Sequence, residues 1–131
     1  MRVRYADTDA MGTVRADVLL TYFEVARVEA LRGLGVPAGG LERDGIFMPV
    51  VEARLTSHRP ARLDDLLEVT VLLDTYGRAS FAFDYEVARD GVVLATGWTR
   101  MAVIEAGTGR PVALPEWTRA MFAEIAEERE S

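Results

Sequence analysis

Asp9 stands in the segment Asp7-Thr8-Asp9-Ala10-Met11-Gly12-Thr13-Val14, and an apolar run of helix length begins directly after it. A carboxylate in a glycine-punctuated loop at a helix start lies close to backbone amides that have no partner inside the helix. That makes the loop a candidate site for chemistry. On the residues alone, however, Asp9 is better read as a turn or capping residue, because aspartate is common in such loops. Asp7 reads as a residue that shapes the turn, and Asp17 as one that favours the first helical turn through the dipole. Glu24, one or two turns further on, reads as a salt-bridge partner at an interface, with a second acid as the alternative.

Other chemistries are excluded by what the chain lacks. It has no cysteine, hence no disulfide framework, thiol nucleophile or thiolate metal site. His58 is the only histidine, so a Ser-His-Asp mechanism has one possible base and a His-rich metal site cannot be built within one chain. No metal ligand is assigned. A formal net charge of -6 argues against nucleic-acid partners, although a few arginines can still grip a small phosphorylated ligand. Lys, Asn and Gln are all absent, and Arg supplies all 15 basic side chains. This points to a thermophile, since Asn and Gln are thermolabile and Arg forms bidentate ion pairs. A GC-rich genome is the alternative, but it does not explain the missing Gln. No apolar run reaches the length of a membrane span and Met1-Arg2-Val3-Arg4-Tyr5 carries no signal-peptide core, so a cytoplasmic protein with no membrane partner is expected.

The elements that must position Asp9 follow from periodicity. Residues Arg2 to Tyr5 alternate and predict a short strand leading into the loop. From Ala16 or Asp17 to about Leu34, apolar residues cover most of a helical circumference, which predicts a mostly buried helix roughly 27 Å long. Its natural partner is a sheet that wraps around it. Gly33, Gly35, Pro37, Gly39 and Gly40 end the helix, and a loop runs to Ile46. Strands are predicted over Phe47–His58, Leu66–Leu73, Ala79–Ala88 and Val92–Ile104. The short breaks at Tyr76-Gly77-Arg78 and Arg89-Asp90-Gly91 make them antiparallel neighbours. Pro115 opens a last helix to about Glu128. The pattern is α+β, and 131 residues suffice for one domain spanning 1–131.

This order resembles the hotdog fold, an antiparallel β-sheet wrapped around a long central α-helix. Val3-Arg4-Tyr5-Ala6-Asp7-Thr8-Asp9-Ala10-Met11-Gly12 with Tyr22-Phe23-Glu24-Val25-Ala26-Arg27 resembles the opening of the 4-hydroxybenzoyl-CoA thioesterase and YbgC-like acyl-CoA thioesterase family. The run Arg59-Pro60-Ala61-Arg62-Leu63-Asp64-Asp65-Leu66-Leu67-Glu68-Val69 is similar to the family's second characteristic stretch. The resemblance covers nearly the whole chain. It implies hydrolysis of an acyl- or aroyl-CoA to the free acid and CoA, with coenzyme A as part of the substrate and no separate cofactor. It also implies a homodimer or homotetramer whose active sites lie between two subunits.

By the same resemblance Asp9, three residues before the loop glycine, is the catalytic carboxylate, and the backbone of Gly12 to Ala16 is the oxyanion donor set. Thr13 can orient a water through its hydroxyl or simply fit the turn. For coenzyme A the family implies the turn Tyr76-Gly77-Arg78-Ala79-Ser80, which gives Arg78 and Ser80. Arg59 and Arg62 are further phosphate candidates, and for Arg62 a solvated surface role weighs equally. Many relatives carry His after the loop glycine and Asn and Tyr in the next turn, where this chain has Thr13, Ala16 and Leu19. These departures leave a hotdog protein that binds acyl-CoA without cleaving it as the first alternative to hydrolysis; a hydratase or dehydratase of acyl thioesters ranks last, because such enzymes usually pair an acid with His and no His lies in this loop. His58 is expected in a core or interface, and Trp98, Phe81, Phe83 and Tyr85 in core or dimer packing.

Overall fold

A computed structural model describes residues 1–36 and 45–130, so the breakers Pro37, Gly39 and Gly40 and most of the loop to Ile46 lie outside the described residues. Helix α1 spans Ala16–Gly33, close to its expected bounds. Arg15 stays extended and begins it. At its end Gly35 turns into the left-handed region at φ +95°, and the Leu34, Gly35 and Val36 amides fold back onto the carbonyls of Leu31 and Arg32.

The strands are β1 (Ile46–Phe47), β2 (Val50–Ser57), β3 (Glu68–Tyr76), β4 (Ser80–Arg89), β5 (Val92–Ala102) and β6 (Ile104–Glu105). The main sheet has the order β2-β5-β4-β3 with every neighbour antiparallel, and β1 pairs with β6. The β4–β5 turn forms because Asp90 and Gly91 both take positive φ, 50° and 79°, as a tight hairpin matching the strand twist requires. The expected strand from Phe47 to His58 is divided at Met48-Pro49, where proline has no amide to give a ladder.

Alternation on β4 turns Phe81, Phe83, Tyr85 and Val87 to one face, opposite Met101, Thr99, Gly97 and Ala95 of β5. Helix α1 crosses this face and buries it mainly by apolar packing, with one polar contact from Arg27 Nη1 to the Tyr85 hydroxyl (3.1 Å). The Phe23 ring stacks on Tyr85 at 4.6 Å and lies over Gly97, where an added Cβ would come within 2.2 Å of the ring. Only glycine admits the helix this close. Helix α2 (Glu116–Glu130) supplies the fully buried Phe122, whose ring lies 5.2 Å from Phe81 and 6.1 Å from Tyr76.

Two expectations are corrected, and for Trp98 and His58 the core alternative falls. The Arg2 to Tyr5 strand is reduced to one bridge, Arg2 with Leu66, because the chain turns at once into a 3-10 turn at Tyr5–Asp7. Within the chain α1 is not mostly buried: Leu19, Tyr22 and Phe23 are, but Leu20, Val25 and Leu34 are exposed, since the sheet covers one side only. Trp98 points to the opposite sheet face, with Arg54 4.5 Å over its ring and its indole N–H donated to Asp74. His58 is exposed at the end of β2 and bonds Thr96 Oγ1, so it is no core residue.

Candidate active site

The Asp9 loop folds on itself before any other element touches it. The Asp9 amide donates to the Thr13 carbonyl (2.9 Å) and the Gly12 amide to the Asp9 carbonyl (3.0 Å), a closure that requires Gly12 at φ +76°. The carboxylate then accepts the amides of Met11 (2.9 Å) and Thr13 (3.2 Å) and the Thr13 hydroxyl (3.1 Å to Oδ2). These donors, the Thr13 amide foremost, hold Asp9 below its ordinary value. Asp9 is exposed, so its charge is fixed in direction while remaining open to a ligand.

The stretch from Ala61 to Asp65 clamps this loop. Val14 donates to the Ala61 carbonyl (2.8 Å), Leu63 to the Gly12 carbonyl (3.3 Å), and Thr13 bridges Arg62. Asp65 in turn accepts the Arg62 amide and Arg89 at the end of β4. The two segments singled out in the sequence therefore lie side by side at one end of the sheet.

Of the donors expected over Gly12 to Ala16, those of Gly12, Thr13 and Val14 are engaged within the loop and clamp. Gly12 thus serves the turn, and Thr13 serves the carboxylate. The Arg15, Ala16 and Asp17 amides have no acceptor among the described residues, and no side chain caps this helix end. They lie at the positive end of the α1 dipole, where negative charge is favoured, and the Ala16 amide is one of them.

Asp7 does more than shape the turn. Its side chain is buried; Oδ2 accepts the Arg4 amide and Nε and the Tyr22 hydroxyl (2.8 Å), while Oδ1 accepts Arg4 Nη2. The Arg4 guanidinium holds Asp7 down at about 2, and burial pushes the Tyr22 phenol up. The sequence pattern gives Tyr22 no role of its own beyond a position on the expected buried helix. The available signal was a phenol within an otherwise aliphatic and aromatic face, which when buried needs a polar partner.

The remaining candidates divide between the two ends of the sheet. Arg59 and Arg62 are exposed on the clamp beside the Asp9 loop, with the Arg59 amide held by the Leu94 carbonyl. Arg78 and Ser80 lie at the β3–β4 turn, where Ser80 accepts the Gly77 amide and the Arg78 carbonyl holds the Leu114 amide. Strand β4 separates this turn from the clamp, about 30 Å at strand rise. Glu24 is exposed and makes no ion pair among the described residues, so the pairing expected for it is not made within the chain. Among the described residues no three His, Cys, Asp or Glu side chains gather in a metal-binding group, and no helix is long and apolar enough to cross a membrane.

The same arrangement of sheet and helix occurs in known proteins. The chain is 38% identical to a hypothetical protein, TT1821, from Thermus thermophilus, whose crystal structure matches with a TM-score of 0.89 over 95% of both chains. The structure of a DHNA-CoA thioesterase from Staphylococcus aureus matches with a TM-score of 0.90 at 27% identity, covering 99% of this chain and 91% of that one. In sequence, the acyl-CoA thioesterase YbgC of Haemophilus influenzae is 32% identical over 123 residues, covering 93% of this chain and 90% of the relative. The fold is the hotdog fold. A family model described as the thioesterase-like superfamily matches residues 3–122, and the chain belongs to that superfamily.

Proposed function

We propose that this protein is an acyl-CoA thioesterase that hydrolyses an acyl- or aroyl-CoA to the free acid and CoA, with Asp9 as nucleophile or general base. The observation that carries the reading is the exposed Asp9 carboxylate, aimed by Met11 and Thr13, three residues before the loop glycine Gly12 and seven before a helix start with unaccepted amides. In one route a carboxylate oxygen attacks the thioester carbonyl, the CoA thiolate leaves, and water opens the resulting anhydride. In the other, Asp9 takes a proton from the water that attacks. Either way negative charge develops on the carbonyl oxygen, and the Arg15, Ala16 and Asp17 amides are the donors suited to it.

Coenzyme A enters as part of the substrate and no other cofactor is required. Its phosphates fall to Arg78 with Ser80, and to Arg59 and Arg62, because guanidinium forks suit phosphate. The end-to-end separation of Asp9 and Arg78 favours a site shared between two copies of the chain, in a homodimer or homotetramer of single domains. A cytoplasmic location and a thermophilic source belong to the same proposal, the latter resting on the missing Lys, Asn and Gln.

The test is release of free thiol from short, long and aromatic acyl-CoAs, with Asp9→Asn alongside. Hydrolysis that disappears in the variant supports the reading. Saturable acyl-CoA binding without thiol release from the unmodified protein would replace it with a non-catalytic binding protein, and hydration of an enoyl-CoA would replace it with a hydratase.

A further inference from the structure

We infer that Tyr22 is a positioning residue for Asp9, its hydroxyl joining the segment that carries the loop to the helix whose first amides face the reacting carbonyl. The inference rests on the thioesterase reading above. The Asp9 loop and the start of α1 must keep a fixed mutual placement, because one supplies the carboxylate and the other the oxyanion donors. The covalent link between them runs through Gly12, held by Asp9 and Leu63, and then through the extended Arg15, whose amide has no acceptor among the described residues. Among the described residues, the bond from the Tyr22 hydroxyl to Asp7 Oδ2, at 2.8 Å, is the only hydrogen bond from α1 to residues 1–9.

The bond is placed where it can hold position. Tyr22 and Asp7 are each 4% exposed, and Asp7 stands two residues before Asp9. Tyr22 lies six residues into α1, roughly 9 Å along its axis. A phenylalanine ring would fill the same volume. A buried phenol and a buried carboxylate are costly to desolvate unless they face one another, so the pair contributes a direction that apolar packing would not. Arg4 supports the carboxylate from the solvent side, which leaves Oδ2 committed to Tyr22 and to the Arg4 backbone and Nε.

Tyr22→Phe in the intact protein tests this. The expected result is a fall in kcat of about tenfold with KM unchanged, since positional error at a reacting group lowers the rate without weakening distant binding contacts. In the Asp9→Asn background the same change should leave the residual rate unaltered, because there is no carboxylate to position. Hydrogen exchange on the substrate-free variant gives a second readout. The Asp9, Gly12, Thr13 and Val14 amides should lose protection while those of β4 and β5 keep theirs.

An unchanged kcat with unchanged loop protection would overturn the inference. Equal losses of rate in both backgrounds, or loss of protection throughout the sheet, would also overturn it in favour of a purely structural role. If the unmodified protein hydrolyses no thioester, the reading fails and the inference falls with it. A failure of Tyr22 alone leaves hydrolysis by the unmodified protein intact, so the two failures are distinguishable.

Discussion

Asp7 and Asp9 carry the same carboxylate two residues apart, and both are held below the ordinary carboxylate range, yet they occupy opposite environments. Asp7 is buried and held by side chains, with Arg4 as the main cause of its shift and Tyr22 closing the remaining side. Asp9 is exposed and held by the backbone of its own loop, with Thr13 foremost. A carboxylate whose lone pairs are consumed within the protein can fix geometry but cannot react. One that is steered by two local amides and otherwise faces solvent keeps its reactivity. The difference suits Asp7 to placement and, on the proposed function, Asp9 to chemistry.

Substitutions can break that division, beginning with the largest effect. Asp9→Asn should reduce kcat about a thousandfold with only a small fall in melting temperature, because the amide oxygen keeps the place of the acceptor for Met11 and Thr13 and only the charge is lost. Asp7→Ala should do the reverse in kind. It strands the Tyr22 hydroxyl in the core and should lower stability by about 2 kcal/mol in a urea titration. Should Asp9→Asn unfold the protein, or Asp7→Ala leave stability untouched, the assignment would be reversed.

The pH dependence sharpens the same contrast. Asp7 has a folded value of about 2 against an ordinary 3.8, so the unfolded chain binds more protons in between. Its contribution to stability is present in full above 3.8 and is lost as pH falls toward 2, a slope that Asp7→Ala should flatten in acid denaturation. Asp9 is also lowered, by the Thr13 and Met11 amides, so on the proposed function the acid limb of hydrolysis should move to higher pH when those donors are weakened. The smallest effect is expected for Thr13→Val, which removes the hydroxyl bond and keeps the branched shape. A loss of about threefold in kcat is expected, and none at all would mean that the backbone amides alone aim Asp9.

Much of this was legible in the sequence because it depended on local patterns. The apolar density of Val18 to Leu34 and the glycines after it place α1 to within a residue at each end, and Asp90-Gly91 places the tightest hairpin. Strand alternation at Phe81, Phe83, Tyr85 and Val87 gives the core face. What was not legible depends on contacts between distant residues. Nothing near Asp7 shows that its partner lies on the helix fifteen positions later, and Arg2 to Tyr5 alternates like a strand although the Asp7 carboxylate draws the Arg4 amide into a turn. The burial of α1 was overestimated because periodicity reports which residues are apolar and not how many sides a sheet covers. The donor set was drawn too widely for a similar reason: the Val14 amide is taken by Ala61, a residue far along the chain.

The seat of Phe23 on Gly97 bears on how this protein can diversify. With a ring resting directly on backbone, this part of the α1–sheet contact has no room for a larger side chain at Gly97 and so cannot be remodelled there. New substrate ranges are more readily reached at the rim, from exposed positions such as Met11 and Leu63 flanking the Gly12 turn. Those residues can drift without disturbing the interior, so selection on what is cleaved is largely uncoupled from selection on whether the chain folds.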